Sequence, residues 1–127
     1  MKKIVSISVA AIMAFAMISV AYAHYAVIAG FDVTGSVSAS SVNGRATAYF
    51  GEVVDATVKL TLERSSNGGT SFSKYRTLVS KSKVGTVIDV SGEASNLSTA
   101  YDYRIKAEVF VYDDSDNQID YDYAYID

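Results

Sequence analysis

Residues 101–112 alternate with a period of two. Tyr101, Tyr103, Ile105, Ala107, Val109 and Val111 are apolar or aromatic, while Asp102, Arg104, Lys106 and Glu108 between them are charged. A strand places such residues on opposite faces, whereas a helix would spread the charges around its axis. The stretch is expected to be a strand with one face in a core and one in water. Shorter runs repeat the pattern. Phe31, Val33 and Val37 alternate with Thr34, Ser36 and Ser38; Ala46, Ala48 and Phe50 with Arg45, Thr47 and Tyr49; Val58, Leu60 and Leu62 with Thr57, Lys59, Thr61 and Glu63. Residues 72–79 alternate more loosely, with Tyr75, Thr77 and Val79 as the inward set. Lys74, Arg76, Lys81 and Lys83 mark that region as a charged edge strand. Ile88 and Val90 belong to a further strand, and residues 119–126 close the chain as the hairpin partner of 101–112.

Asn43-Gly44 and Asn67-Gly68 are strong turn signals, and residues 92–100 form a polar crossing with Leu97 as its apolar anchor. No segment carries a 3.6-residue period, and the chain has no proline. About seven short strands separated by turns predict an all-β fold, a single antiparallel β-sandwich.

Tyr101-x-Tyr103-x-Ile105-x-Ala107 resembles the penultimate strand of immunoglobulin-like and fibronectin type III-like domains, written there as Tyr-x-Val-x-Val-x-Ala. Leu97 stands where those domains keep a loop leucine. Residues 58–64, the glycine pair Gly68-Gly69, Phe72 and residues 101–107 together resemble a group of small secreted bacterial domains of unknown function. The resemblance covers about residues 45–112, implies the sandwich and implies no activity. The tryptophan usual on the third immunoglobulin-like strand is absent, as are the prolines of fibronectin-type loops, so strand order stays open. By this resemblance Tyr101 is the candidate corner tyrosine, its hydroxyl bonding back to the preceding crossing, with Tyr103 as the alternative. As plain core aromatics both would keep their hydroxyls at the rim.

The N-terminus bears on where the protein works. Lys2 and Lys3, the apolar run 4–20 and Ala21-Tyr22-Ala23 have the layout of a secretory signal peptide over residues 1–23, leaving a domain at 24–127. An uncleaved anchor is the alternative, because residues 25–31 are also weakly polar. The expected product is secreted, extracellular and monomeric, and off the membrane once the leader is cleaved. The absence of cysteine excludes a disulfide, a lipid-modified cysteine and a thiolate metal site. Without Lys2 and Lys3, nine of the eleven basic residues face fourteen acidic ones, a net charge of −5. Such a domain would repel nucleic acid.

Candidate chemistry is thin. His24, the expected mature N-terminus, could offer a copper-binding amine and imidazole, but it is the only histidine and copper needs a second. Serine nucleophiles lack an imidazole partner for the same reason. Paired carboxylates sit on strand exteriors and a hairpin tip, so no enzyme and no cofactor are expected. Asp113, Asp114 and Asp116 are a weak calcium candidate; an ordinary hairpin turn is the stronger reading. If inward odd positions pair across the last hairpin, Asp114 faces Gln118, residues 115–117 form the loop, and Asn117 takes the left-handed position. Since Asp120 and Asp122 cannot face a core unpaired, Tyr121 and Tyr123 are then expected inward unless a bulge intervenes. Phe110 would lie across from Asp122 and Tyr112 across from Asp120, an aromatic pair flanked by carboxylates and a candidate recognition surface. The expected function is a non-catalytic binding or surface-interaction module for an unknown protein or glycan. The alternatives are a carbohydrate-binding domain and a structural subunit assembling through edge strands unguarded by proline.

Overall fold

A computed structural model of the chain describes residues 27–127. The leader, its cleavage point, the 24–127 boundary and His24 lie outside the described residues. Five strands follow one another: β1 (Ile28–Val37), β2 (Val42–Ser65), β3 (Ser73–Ala94), β4 (Asp102–Tyr112) and β5 (Gln118–Ile126). They form one antiparallel sheet in the order β1-β2-β4-β5, with β3 on the other flank of β2.

β2 organises the sheet. Its first half, to Phe50, pairs with β1, and its second half, from Asp55, pairs with β4. β3 runs beside both halves, and its register with β2 jumps between Tyr49 and Val54. The sheet curls at that jump. A Cβ on Gly44 would lie 3.0 Å from the Cδ1 atoms of both Ile105 and Ile126, so the two halves of the curled sheet pack face to face. Phe31, Ala46, Ala48, Leu60, Leu62, Ile105, Val109, Val111 and Ile126 are fully buried between them. Burial of this apolar surface drives the folding of a chain that has no disulfide.

The seven expected strands are corrected to five. Residues 45–50 and 56–64 are consecutive parts of β2, and residues 73–79 and 86–91 are parts of β3, with Phe72 just before it. Gly51 breaks the alternation without breaking the strand, because a bent backbone can keep its ladder across an irregularity. Asn43-Gly44 is not a turn either. It lies within β2, paired with Ser36 and Gly35 of β1, with Asn43 Nδ2 donating to Ser36 Oγ at 2.9 Å. The turn sits earlier, where the Ser38 amide donates to the Ser41 carbonyl at 2.8 Å. The second Asn-Gly signal does fall in a loop, with Gly68 and Gly69 at φ 74° and 88°. In the first part of β3, Tyr75 and Thr77 are exposed rather than inward, and Leu78 and Val79 pack against the core; farther along, Ile88, Val90 and Ala94 are buried in it.

Candidate functional site

The β4–β5 hairpin decides what the surface carries. Asp113 and Asn117 close the turn, with the Asp113 amide donating to the Asn117 carbonyl at 2.9 Å. Asp116, at φ 65°, takes the left-handed position expected of Asn117. The loop is therefore 114–116, one residue earlier than its expected place. Tyr112 pairs with Gln118, but Val111 pairs with Asp120, so Ile119 is an extra residue, a β-bulge. One inserted residue reverses the facing of everything after it. Asp122, Ala124 and Ile126 are buried, while Tyr121, Tyr123 and Tyr125 face outward. The proposed quartet is thus separated: Phe110 pairs with Tyr121 and not Asp122, and Tyr112 pairs with Gln118 and not Asp120. Asp120 turns inward, its Oδ2 accepting from the Ile28 amide at 3.2 Å and its Oδ1 from the Tyr121 amide at 2.9 Å. Burial pushes its carboxyl above the usual carboxylate range, against the pull of those amides.

The outward tyrosines form a ladder. Ring centroids of Phe110 and Tyr121 are 5.1 Å apart, those of Tyr121 and Tyr123 are 6.0 Å, and those of Tyr123 and Tyr125 are 5.7 Å. Cations interleave with them. The Arg104 guanidinium stacks on Tyr125 at 4.1 Å and on Phe72 at 4.2 Å, Lys106 lies over Tyr123 at 5.6 Å, and Lys59 over Phe110 at 5.7 Å. Tyr121 donates its hydroxyl to Glu108 at 2.7 Å, and burial followed by that bond raises its pKa well above the usual phenol range. Cations thus lie over Phe110, Tyr123 and Tyr125, and Tyr121 stacks on Tyr123, which is still 39% exposed.

A different concavity lies at the bend. Glu52, Val53, Val54 and Asp55 of β2, Val84 of β3, Tyr112 and the hairpin residues Asp113, Asp114, Asp116 and Ile119 line a cleft of about 460 Å³. Val53 and Val84 are 66% and 67% exposed, the most exposed large aliphatic side chains among the described residues. Five carboxylates surround them, and among the described residues no cation lines the cleft. The sequence reading found Tyr112 and the three hairpin acids but missed Glu52, Val53, Asp55 and Val84. A signal was there: Val53-Val54 cannot both face inward in a strand of period two.

The calcium candidates do not converge on one point. Among the described residues no group of three acids, histidines or cysteines is placed to hold a metal. Asp113 Oδ1 instead accepts from the amides of Ser115 at 2.8 Å and Asn117 at 2.9 Å, which hold its pKa below the usual range. The structural residues behave differently from one another. Tyr103 is buried and donates its hydroxyl to the Ser98 carbonyl at 2.6 Å. Tyr101, expected in that role, is half-buried and stacks on the Arg64 guanidinium at 4.1 Å. It precedes the strand, so its side chain reaches the rim instead of the crossing. Leu97 is buried, and its amide donates to the Ser40 carbonyl at 2.9 Å.

No family model matches the chain, and no curated protein matches it. Among solved structures, chicken MD-1 complexed with lipid IVa aligns over 76% of this chain and 80% of its own, at 14% identity and a TM-score of 0.28.

Proposed function

We propose that this chain is a secreted, non-catalytic binding module that engages a cationic, partly apolar segment of another protein through the cleft at the sheet bend. One observation carries the reading: the two most exposed valines share a single concavity with five carboxylates. Exposed apolar side chains ringed by charge of one sign suit a partner offering the opposite sign and an apolar centre. The leader-like N-terminus supports an extracellular setting. The bond from Tyr103 to Ser98 supports immunoglobulin-like kinship, since a tyrosine bonding back to the chain upstream is a feature of such sandwiches. The glycan-platform alternative has less support, because cations already lie over Phe110, Tyr123 and Tyr125. Assembly through β3 also has less, because Lys81 and Lys83 lie across from Val58 and Ala56, on the inward side, where charge discourages edge pairing.

Titration with a peptide of alternating lysine and valine tests the cleft. Binding that weakens with added salt is expected. Val53→Ser with Val84→Ser should abolish it and shift stability by only about 0.5 kcal/mol, as exposed sites do. Undiminished binding by the double variant would reject the cleft.

A further inference from the structure

The tyrosine ladder covers the outside of one half of the curled sheet, and the outside of the other half carries a different surface. Along β2, Asn43, Arg45, Thr47 and Tyr49 face outward in turn, about 7 Å apart. Across from the last three, β3 places Ser91, Asp89 and Val87. The central charges are spent on one another. Arg45 gives Nε and Nη2 to the two Asp89 oxygens at 2.9 Å each, and Thr47 Oγ1 donates to Asp89 at 2.8 Å. The guanidinium is thereby fixed, with its Nη1 donors uncommitted among the described residues. Beside it, Thr34, Asn43, Arg45 and Ser91, with Gly35 and Gly44, line a concavity of about 450 Å³. At the other end of the face Tyr49 is 42% exposed, and its ring leans over β1, where a Cβ on Gly30 would lie 3.3 Å from Cδ2. Val87, itself exposed, stands across from it.

Tyr49 differs from the other exposed aromatics. Tyr75 lies under Arg64 and Arg76, and Tyr123 lies under Lys106 and against Tyr121. Among the described residues no cation and no second ring covers Tyr49. Solvation alone requires neither a bare ring nor polar groups locked in place before a ligand arrives, and recognition gains from both. A sugar matches the mixture: its C–H face stacks on a ring, and its hydroxyls exchange hydrogen bonds with hydroxyl, amide and guanidinium groups. Charge decides which sugar. With Arg45 neutralised by Asp89, Asp32 and Glu93 leave the face negative, so an anionic ligand is repelled. We infer that this face binds a neutral linear oligosaccharide, one unit stacked on Tyr49 and the next hydrogen-bonded along Arg45 into the hollow between Thr34, Asn43 and Ser91. From Tyr49 to Asn43 the strand extends about 20 Å, enough for several units in line. The inference makes no use of the cleft.

Cellohexaose, laminarihexaose and mannohexaose serve as neutral probes in titration calorimetry, with hexagalacturonate as the acidic control. At least one neutral probe is expected to bind, with an affinity that added salt leaves unchanged. Tyr49→Ala should weaken that binding about 30-fold or more, as loss of an anchoring aromatic does, whereas Tyr49→Phe should weaken it little. Asn43→Ala with Ser91→Ala should weaken it about tenfold, and these exposed positions keep the test usable if Tyr49→Ala misfolds. Val53→Ser with Val84→Ser should leave it unchanged, which separates this face from the cleft. Binding of no neutral probe, tighter binding of hexagalacturonate, or undiminished binding by the Tyr49→Ala and Asn43–Ser91 variants would each overturn the inference, as would loss in the Val53–Val84 variant.

Discussion

The Tyr103 hydroxyl donates to the Ser98 carbonyl at 2.6 Å, tying β4 to the crossing that precedes it. Tyr101 has no such bond; its ring lies 6.4 Å from that of Tyr103 and against Arg64. Removing one hydroxyl at each position separates the two roles. Tyr103→Phe leaves the Ser98 carbonyl short of a partner and should cost about 1–1.5 kcal/mol. Tyr101→Phe should cost little. Urea melts that find equal losses at both positions would contradict the assignment.

Gly35 and Gly44 are cross-strand neighbours with different tolerances. Gly35 has φ 156°, and a Cβ there would collide with the Asn43 carbonyl oxygen, a backbone atom that cannot move aside. A Cβ on Gly44 would meet only the ends of the Ile105 and Ile126 side chains, at 3.0 Å, and these can shift. Gly35→Ala is expected to destabilise by about 2 kcal/mol or more and Gly44→Ala by less. A reversed order in thermal melts would mean that the core, not the β1–β2 backbone contact, is the tighter constraint.

Acid stability follows from carboxylates displaced in opposite directions. Arg45, then Thr47, hold Asp89 at about 2, and the amides of Asn117 and Ser115 lower Asp113 as well. An unfolded aspartate titrates near about 3.9, so both contribute stability above that pH that is lost as pH falls through their lowered folded values. Asp120 works the other way: burial raises its folded value, so its contribution is present at low pH and lost as pH rises through that value. Asp89→Asn should flatten the fall in melting temperature below about pH 4. Asp120→Asn should remove the opposing contribution and steepen the fall. Superimposable profiles for parent and Asp89→Asn, measured from neutral to acid pH, would show that the Arg45 pair is inactive in solution.

The sequence exposed the inward faces well, because alternation in residues 101–112 and 56–62 is a direct record of which side meets the core. It was weaker wherever the backbone departs from a regular ladder. Gly51 read as a break because periodicity stops there, although β2 continues. Asn43-Gly44 read as a turn because local preference was weighed without Ile105 and Ile126, whose side-chain ends pack against Gly44 within β2. The recognition quartet failed on one residue, Ile119, whose bulge turned Asp120 and Asp122 inward and the tyrosines outward. A bulge has no local composition mark, so only the pairing itself shows it. The cleft was half legible: Asp113, Asp114 and Asp116 are close in sequence, but their meeting with Val53 and Val84 depends on the curl of the sheet.

Phe110 and Tyr121 give the sharpest test of that corrected register. If the rings are paired across β4 and β5 at a centroid distance of 5.1 Å, their contributions to stability must be coupled. A double-mutant cycle with Phe110→Ala and Tyr121→Ala should return a coupling of about 0.5–1.5 kcal/mol, the range for aromatic pairs. Tyr121→Ala also removes the hydroxyl bond to Glu108, so Tyr121→Phe is needed to isolate the ring contribution. The cycle between Phe110 and Asp122 discriminates between registers. Asp122 is buried on the opposite face of β5, so it should show no coupling to Phe110 beyond about 0.3 kcal/mol. Strong coupling of Phe110 to Asp122 and none to Tyr121 would restore the unbulged register and return the aromatic–carboxylate surface to the hairpin. The opposite result fixes the tyrosines outward, as a ladder along β5.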